Sequence, residues 1–285
     1  MNRKYIFIIL LVLGTAFWGI SFSVTKMAMG ATSQSTFLFY RFLLATLVLA
    51  VVLQKHVKTT TKTDVVRGMI LAIPLTLGIY LQTLGLKYTS ASQCAFVAGI
   101  CVIIIPVLKL VVYKNSVGLK IWLASLIALL GLFIISVKDN FSINAGDVYT
   151  IIGSVGFAVY LIKVEQFATA KNIVPTIVPM FFTCTLIMLG ITLMDKTANW
   201  LPTDRNFWTG IVYCALFSTA YMYTISNISQ RYIKAEKVAI IYLFEPVFAA
   251  LTAFFLLGET LTWRILVGGA LIFCGTLISE LKLKT

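Results

Sequence analysis

Apolar runs of about 20 residues recur along the whole chain, separated by short polar stretches. A helix of about 20 apolar residues matches the hydrocarbon thickness of a bilayer, and it satisfies its own backbone donors and acceptors where no water is present to do so. The pattern predicts ten membrane-spanning helices, over residues 5–26, 36–53, 68–86, 92–112, 119–137, 147–165, 176–194, 207–228, 236–257 and 263–281. The connections hold turn and cap residues: Asn144-Ala145-Gly146, Pro175, the stretch from Asn199 to Pro202, and Gly258. None is long enough to form a soluble domain. The first run follows Asn2-Arg3-Lys4, which has the look of a signal-peptide n-region. However, the run from Tyr5 to Met29 is too long for the usual h-region and no small-x-small cleavage site precedes a soluble domain, so it reads as a retained first helix.

Composition agrees. Of 285 residues, 60% are hydrophobic and 12% charged, and mean hydropathy is +0.97. Soluble domains sit near 45–50% apolar and about 25% charged, so lipid is the expected solvent. The net charge of +13 does not point to nucleic acid, because the charges cluster between apolar runs and not along one aromatic-studded face. Taking the N-terminus as cytoplasmic, 15 Lys and Arg fall in loops on its side and 5 on the other, while Lys26, Arg41 and Lys109 lie within spans. This bias predicts a multi-pass protein of the cytoplasmic (inner) membrane with both termini inside. The cysteines (Cys94, Cys101, Cys184, Cys214 and Cys274) lie inside apolar runs without metal-ligand spacing, and read as small buried hydrophobes. His56 sits in a basic loop and reads as solvated.

The two halves of the chain resemble each other. Gly14-Thr15-Ala16-Phe17-Trp18-Gly19-Ile20-Ser21-Phe22 matches Gly153-Ser154-Val155-Gly156-Phe157-Ala158-Val159-Tyr160-Leu161 at an offset of 139. Leu84 to Ser92 matches Ile228 to Glu236 at an offset of 144, and Gly131 matches Gly275 at the same offset. Each half has five spans, an odd number, so the second half enters the membrane from the opposite side. The expected fold is therefore all-α: a first five-helix repeat over 1–138 and an inverted second over 139–285, a plan common among transporters with a site between the repeats. Small residues four apart, Ala91, Ala95 and Gly99 on the fourth span and Ala235 and Ala239 on the ninth, predict close helix packing.

Several segments carry a family resemblance: Trp18-Gly19-Ile20-Ser21-Phe22-Ser23-Val24-Thr25-Lys26; Tyr40-Arg41-Phe42-Leu43-Leu44-Ala45; Tyr88-Thr89-Ser90-Ala91-Ser92 with Ala95-Phe96-Val97 leading to Pro106; Asn227; Phe244-Glu245-Pro246-Val247-Phe248-Ala249-Ala250; and Gly258-Glu259-Thr260-Leu261-Thr262. In order and spacing, over essentially the whole chain, these resemble the ten-helix EamA-type members of the drug/metabolite transporter superfamily. The resemblance implies transport of amino acids, amines or related metabolites, usually without ATP. One departure is that the acidic residue usual after the fourth span is replaced by Asn115, preceded by Lys114. This bears on gating or packing at a cytoplasmic helix junction more than on substrate chemistry.

A charge at the centre of a bilayer costs about 2.5–3.5 kcal/mol on insertion scales, so the ionisable residues within spans are candidates. Glu245, beside Pro246 near the middle of the ninth span, would bind an ammonium group or take up a proton for coupling; the alternative is a permanent ion pair with Lys26 or Arg41. Lys26, near the outer end of span one, either touches substrate or snorkels. Arg41 either pairs with a substrate carboxylate or ties helices together. Lys109, three residues after Pro106, reads as a snorkelling lysine. Three positive charges against one negative favour a substrate with an anionic group, and a zwitterion answers both signs. The remaining candidates are the aromatics Trp18, Phe22, Tyr80, Phe96, Phe157, Tyr160, Tyr221 and Tyr242, with Gln82, Gln93 and Asn227 to orient a ligand. For each aromatic the alternative is packing or a lipid-facing position.

No Walker A, GxSxG or HExxH pattern occurs in the sequence, and the acids Asp64, Asp139, Asp147, Asp195 and Asp204 lie in loops or at span ends. The expectation is a secondary transporter for a small polar metabolite, an amino acid or a related zwitterionic or anionic compound. It would work without cofactor, metal or nucleic acid, with the bilayer as its surroundings and protons as the candidate coupling ion, as a monomer or dimer, with export favoured over facilitated uptake. A multidrug exporter is the alternative; the small multidrug resistance proteins, which resemble one half of this architecture, use an acidic residue in their first helix, and the first span here has none and carries Lys26 instead. An intramembrane enzyme or scaffold is the other alternative.

Overall fold

In the computed structural model, residues 3–89, 91–136, 144–257 and 263–281 are described. Asn2, Ser90, Lys138, Asp139, the segment 258–262, Lys282, Lys284 and the expected 138/139 boundary lie outside them. The described residues are helical, with no strand among them. The ten segments are α1 (Arg3–Ala28), α2 (Gln34–Val52), α3 (Lys62–Tyr88), α4 in two pieces (Ala91–Gly99 and Cys101–Val111), α5 (Leu119–Ser136), α6 (Ala145–Ala170), α7 (Val174–Met194), α8 (205–229), α9 in two pieces (Ala235–Tyr242 and Phe244–Leu257) and α10 (Trp263–Glu280). Eight of these segments are long and apolar enough to cross a bilayer by length and composition; α5 and the two-piece α9 make up the ten expected. The chain is a multi-pass membrane protein.

Local chemistry fixes where helices begin. Thr61 and Asp64 form a reciprocal capping box at the start of α3, and Asn144 and Asp147 form another at the start of α6. Ser33 and Asp204 cap α2 and α8. Proline disrupts helices from within: Pro179 cannot donate to the Pro175 carbonyl, and the Thr60 hydroxyl reaches that oxygen at 3.4 Å from the α2–α3 connection.

The helices pack in pairs that recur under the repeat offsets. α3 lies against α6 as α8 lies against α1; α4 lies against α6 as α9 lies against α1; α3 meets α7 as α8 meets α2; α5 pairs with α10 and α2 with α7. The closest approaches recur as well. A Cβ at Gly78 would sit 3.0 Å from the Gly153 carbonyl oxygen, and one at Gly153 2.8 Å from that of Gly78. The offsets 139 and 144 carry this contact onto Gly14 and Met222, which also touch. Gly131 and Gly268 meet so closely that a Cβ on either would be 2.4 Å from the other's carbonyl oxygen, and Gly275 meets Ala124 in the counterpart contact. In lipid, where apolar surface has no hydrophobic incentive to leave its solvent, such backbone contact is what holds helices together. The expected small-residue stripes on α4 and α9 serve differently: Ala95, Gly99 and Ala239 border a cavity, and Gly99 is also pressed against Leu132 and Leu243.

The start of α1 and the end of α10 lie on one face, where Lys4 and Lys237 pair with Glu280. It is called the terminal face below. The opposite, far face has Asp195 at the α7 exit, outside the spans. Hydrogen bonds first from Ser35 and then from Thr197 hold its carboxyl down at about 2, and the Ser35 bond, at 2.5 Å, ties α7 to the start of α2. Of the cysteines, four are buried as expected; Cys274 is exposed on the outer side of α10, facing the surroundings that lipid would fill.

Two stability experiments test this packing. Gly131→Ala places a methyl group against the Gly268 backbone and should lower stability by about 1–3 kcal/mol. Gly190→Ala, with nothing within 4 Å of the new methyl, should leave the detergent-solubilised melting temperature unchanged or raise it. Lys114, which follows α4, has φ of 52°, in the left-handed region that favours glycine, and the 144 offset places Gly258 at its counterpart. Lys114→Gly should stabilise by about 1 kcal/mol in the same melting assay.

Candidate functional site

A cavity of about 90 Å³ lies between the halves, bounded by α1, α3, α4, α6, α8 and α9, with Arg41 entering from α2. Its walls on α1, α3, α4 and α6 lie in the far-face half of those helices, reaching Thr25 and Leu86 within a turn of the ends of α1 and α3. Both two-piece helices break beside it. In α9 the cause is Pro246, which has no N–H for the Tyr242 carbonyl, and the helix is interrupted at Leu243. In α4 the interruption is at Ile100, directly after Gly99. The 144 offset makes Gly99 and Leu243 counterparts, and they touch: a Cβ on Gly99 would be 2.9 Å from Leu243 Cδ2. Paired discontinuous helices of this kind are where transporter folds place substrate sites.

Aromatic rings form much of the wall. The Trp18 ring lies 4.8 Å from that of Tyr242, 5.5 Å from Tyr223 and 5.9 Å from Phe157, all edge-on, an arrangement that suits the quadrupoles of the rings. The Trp18 indole N–H donates to the Ser218 carbonyl at 2.8 Å. That carbonyl belongs to a π-helical stretch of α8, Cys214–Tyr221; π turns are uncommon and concentrate at functional sites. The same stretch supplies the Thr219 hydroxyl, which accepts from Arg41 Nε at 2.7 Å. This bond orients the guanidinium, which is 7% exposed and lines the cavity. Glu245, directly after the α9 break, lines the cavity from another side, and among the described residues its carboxyl makes no hydrogen bond or ion pair. Its expected alternative, a permanent pair with Lys26 or Arg41, is not formed. Gln82, Ser21, Thr25, Thr83 and Ser154 add polar atoms, and Gly78, Gly153, Ala95, Ala98 and Ala239 leave the space open.

The sequence-predicted residues therefore divide. Trp18, Phe22, Arg41, Gln82, Phe157, Tyr242 and Glu245 come together around the cavity. Tyr160 and Asn227 sit behind it, joined by a 2.5 Å bond from the Tyr160 hydroxyl to Asn227 Oδ1, with the Tyr160 ring 6.0 Å from Tyr223 and 5.7 Å from Phe157. Beside that pair the Tyr242 and Ser226 hydroxyls are 2.5 Å apart. These contacts lie between the cavity and the terminal face. Lys26 is exposed and donates to the Thr89 carbonyl at 3.1 Å near the far face. Gln93 donates to Asp147 at 2.7 Å, Tyr221 to the Leu10 carbonyl at 3.1 Å, and Phe96 lies against Phe133 at 6.2 Å. Tyr80 packs against the core. None of these five borders the cavity. Lys109 does not snorkel: it is 7% exposed and pairs with Glu165 at 2.5 Å and with Glu236. Tyr223, Ser226 and Thr219 were missed. Tyr223 is one turn before Asn227 on the same helix face, which was the available signal.

Tyr160→Phe tests whether the rear pair is structural. It leaves the buried Asn227 Oδ1 without its donor and should lower stability by about 1–3 kcal/mol, read as a lower melting temperature.

Comparisons with known proteins fit this architecture. The EamA-like transporter family matches the chain twice, over residues 5–137 and 144–281. An uncharacterized transporter of Archaeoglobus fulgidus is 26% identical over 265 residues, covering 93% of this chain and 82% of its own. The uncharacterized transporter YyaM of Bacillus subtilis is 23% identical over 292 residues, covering 97% and 94%. One crystal structure superposes with a TM-score of 0.78 at 13% identity, over 98% of this chain and 97% of the other, a likeness of fold. With the family matched over both halves, this chain belongs to the EamA-like transporter family.

Proposed function

We propose that this protein is a secondary transporter that carries a small zwitterionic metabolite, an amino acid or a close relative, across the cytoplasmic membrane by alternating access between its two repeats. The observation that carries the reading is one cavity faced by the Arg41 guanidinium and by the Glu245 carboxyl, which has no partner among the described residues, between aromatic walls. A guanidinium oriented by Thr219 is ready for a substrate carboxylate, which it can hold through two parallel N–H bonds. Glu245 is ready for the substrate ammonium, or for a coupling proton when the ammonium leaves. Trp18, Phe157 and Tyr242 supply apolar walls for the side chain, and their ring faces also favour a cation. Opposite charges kept apart across one cavity match a ligand whose own charges are a few ångströms apart. The loop-charge bias supports both termini in the cytoplasm. On that orientation the described state has its cavity towards the outside and its floor, Tyr160, Asn227, Ser226 and Tyr242, on the cytoplasmic side.

Purified protein in proteoliposomes, offered a mixed pool of amino acids, amines, nucleosides and nucleotides with and without a pH gradient, is expected to accumulate zwitterions selectively. Glu245→Gln and Arg41→Gln should each cut the initial rate by about tenfold or more, the equivalent of one charge-assisted hydrogen bond. Selective accumulation of simple amines or organic anions, or full rates in both variants, would refute the reading. The gradient arms report direction and coupling.

A further inference from the structure

Behind the cavity floor, on the terminal face, three charged side chains from three helices meet. Lys109 of α4 donates to Glu165 of α6 at 2.5 Å and to Glu236 of α9. The three side chains are only 9%, 18% and 5% exposed. The same Glu165 oxygen accepts the backbone N–H of Ala235 at 2.9 Å. That bond answers a local deficit: α9 starts after Lys234, whose side chain gives no cap. The first turn of α9 therefore takes its cap from α6, and Glu165 and Glu236 both lie where the positive end of the α9 dipole favours carboxylates. A polar cavity of about 290 Å³ borders the cluster, lined also by Lys234, Asn115 and Gln166.

The repeat counterpart differs in kind. Offsets of 139 and 144 place Lys26, Ser92 and Ala253 where Glu165, Glu236 and Lys109 stand, and Ser90 where Lys234 stands. Those residue types cannot form an ion triad, and a serine before α4 is a residue of the local-cap type. Of the two symmetry-related ends of the bundle, one has the chemistry to be fastened across three helices.

We propose that Lys109, Glu165 and Glu236 form a latch that holds the terminal face shut while the cavity is reached from the far face, and that its opening is the step that exposes the cavity to the terminal side. Lys109 is shared by two acids, so removing it leaves two largely buried carboxylates facing each other. That repulsion drives α6 and α9 apart, as breaking a buried pair does generally. The purpose of the latch rests on the transport reading, but its existence does not.

The test reads accessibility. In a variant lacking the native cysteines, Ala239→Cys puts a thiol in the cavity wall, and membrane-impermeant thiol reagents are applied to vesicles of each orientation. In Lys109→Met, labelling from the terminal face should rise about tenfold or more while labelling from the far face falls, a shift in population between two states. The double variant Glu165→Gln/Glu236→Gln should behave alike without placing like charges together. The exchange Lys109→Glu/Glu236→Lys, which keeps one base between two acids, should return labelling towards the parent. Parental labelling in both opening variants would overturn the proposal. Failure of both to fold would also overturn it, since a latch must be dispensable for folding. Labelling needs no substrate, so a failed transport assay and a failed latch are distinguished.

Discussion

Backbone contact between α3 and α6 at Gly78 and Gly153 is the constraint on which the site depends. Both glycines also line the cavity, so the same absence of side chains that lets the halves touch leaves the space between them. A larger residue at either position would separate the helices and fill the site at once. Lipid supplies no hydrophobic force to squeeze helices together, so close van der Waals contact and internal hydrogen bonds must hold the bundle. At the counterpart of this contact the Met222 side chain lies against Gly14, and the glycine-to-glycine approach recurs where Gly131 of α5 meets Gly268 of α10.

Against this near-symmetry the charged side chains are placed asymmetrically. Arg41 and Glu245 enter the cavity from helices of different halves, and the π-helical stretch that orients Arg41 and Trp18 is recorded in α8, while its counterpart α3 continues as an α-helix past Pro74. The charged cluster around Lys109 strengthens one end of the bundle. A transporter needs two states of similar free energy, and a perfectly symmetric chain would have two identical ones. On the transport reading proposed above, the departures from symmetry distinguish them, and they coincide with the polar residues that are costly to bury without partners.

Much of the fold was legible in the sequence, because a bilayer restricts a chain to one kind of span and apolar length is easily read. The repeat was legible in Gly14 to Phe22 and Gly153 to Leu161. Glu245 and Arg41 stood out because charges within spans are costly. Helix orientation about its own axis was not legible. Lipid and protein interior are both apolar, so these helices lack the polar face that would tell a cavity-lining Tyr242 from a Tyr80 that packs away from the cavity. Lys109 was misread for a related reason: near a span end, a lysine beside water and a lysine beside two acids look alike along one helix. Its partners Glu165 and Glu236 sit at span ends on the same side, and only the packing of α4, α6 and α9 brings the three together.

The most direct test of the central claim, that this cavity is where the transported compound binds, uses the protein's own thiols. Cys101 lines the cavity and Cys274 faces outwards from α10. The alkylation rate of each would be followed by mass spectrometry with and without the compound that the protein accumulates. The account predicts that the compound slows modification of Cys101 in a saturable way and leaves Cys274 unchanged. Equal rates at Cys101 with and without a saturating transported compound would contradict it.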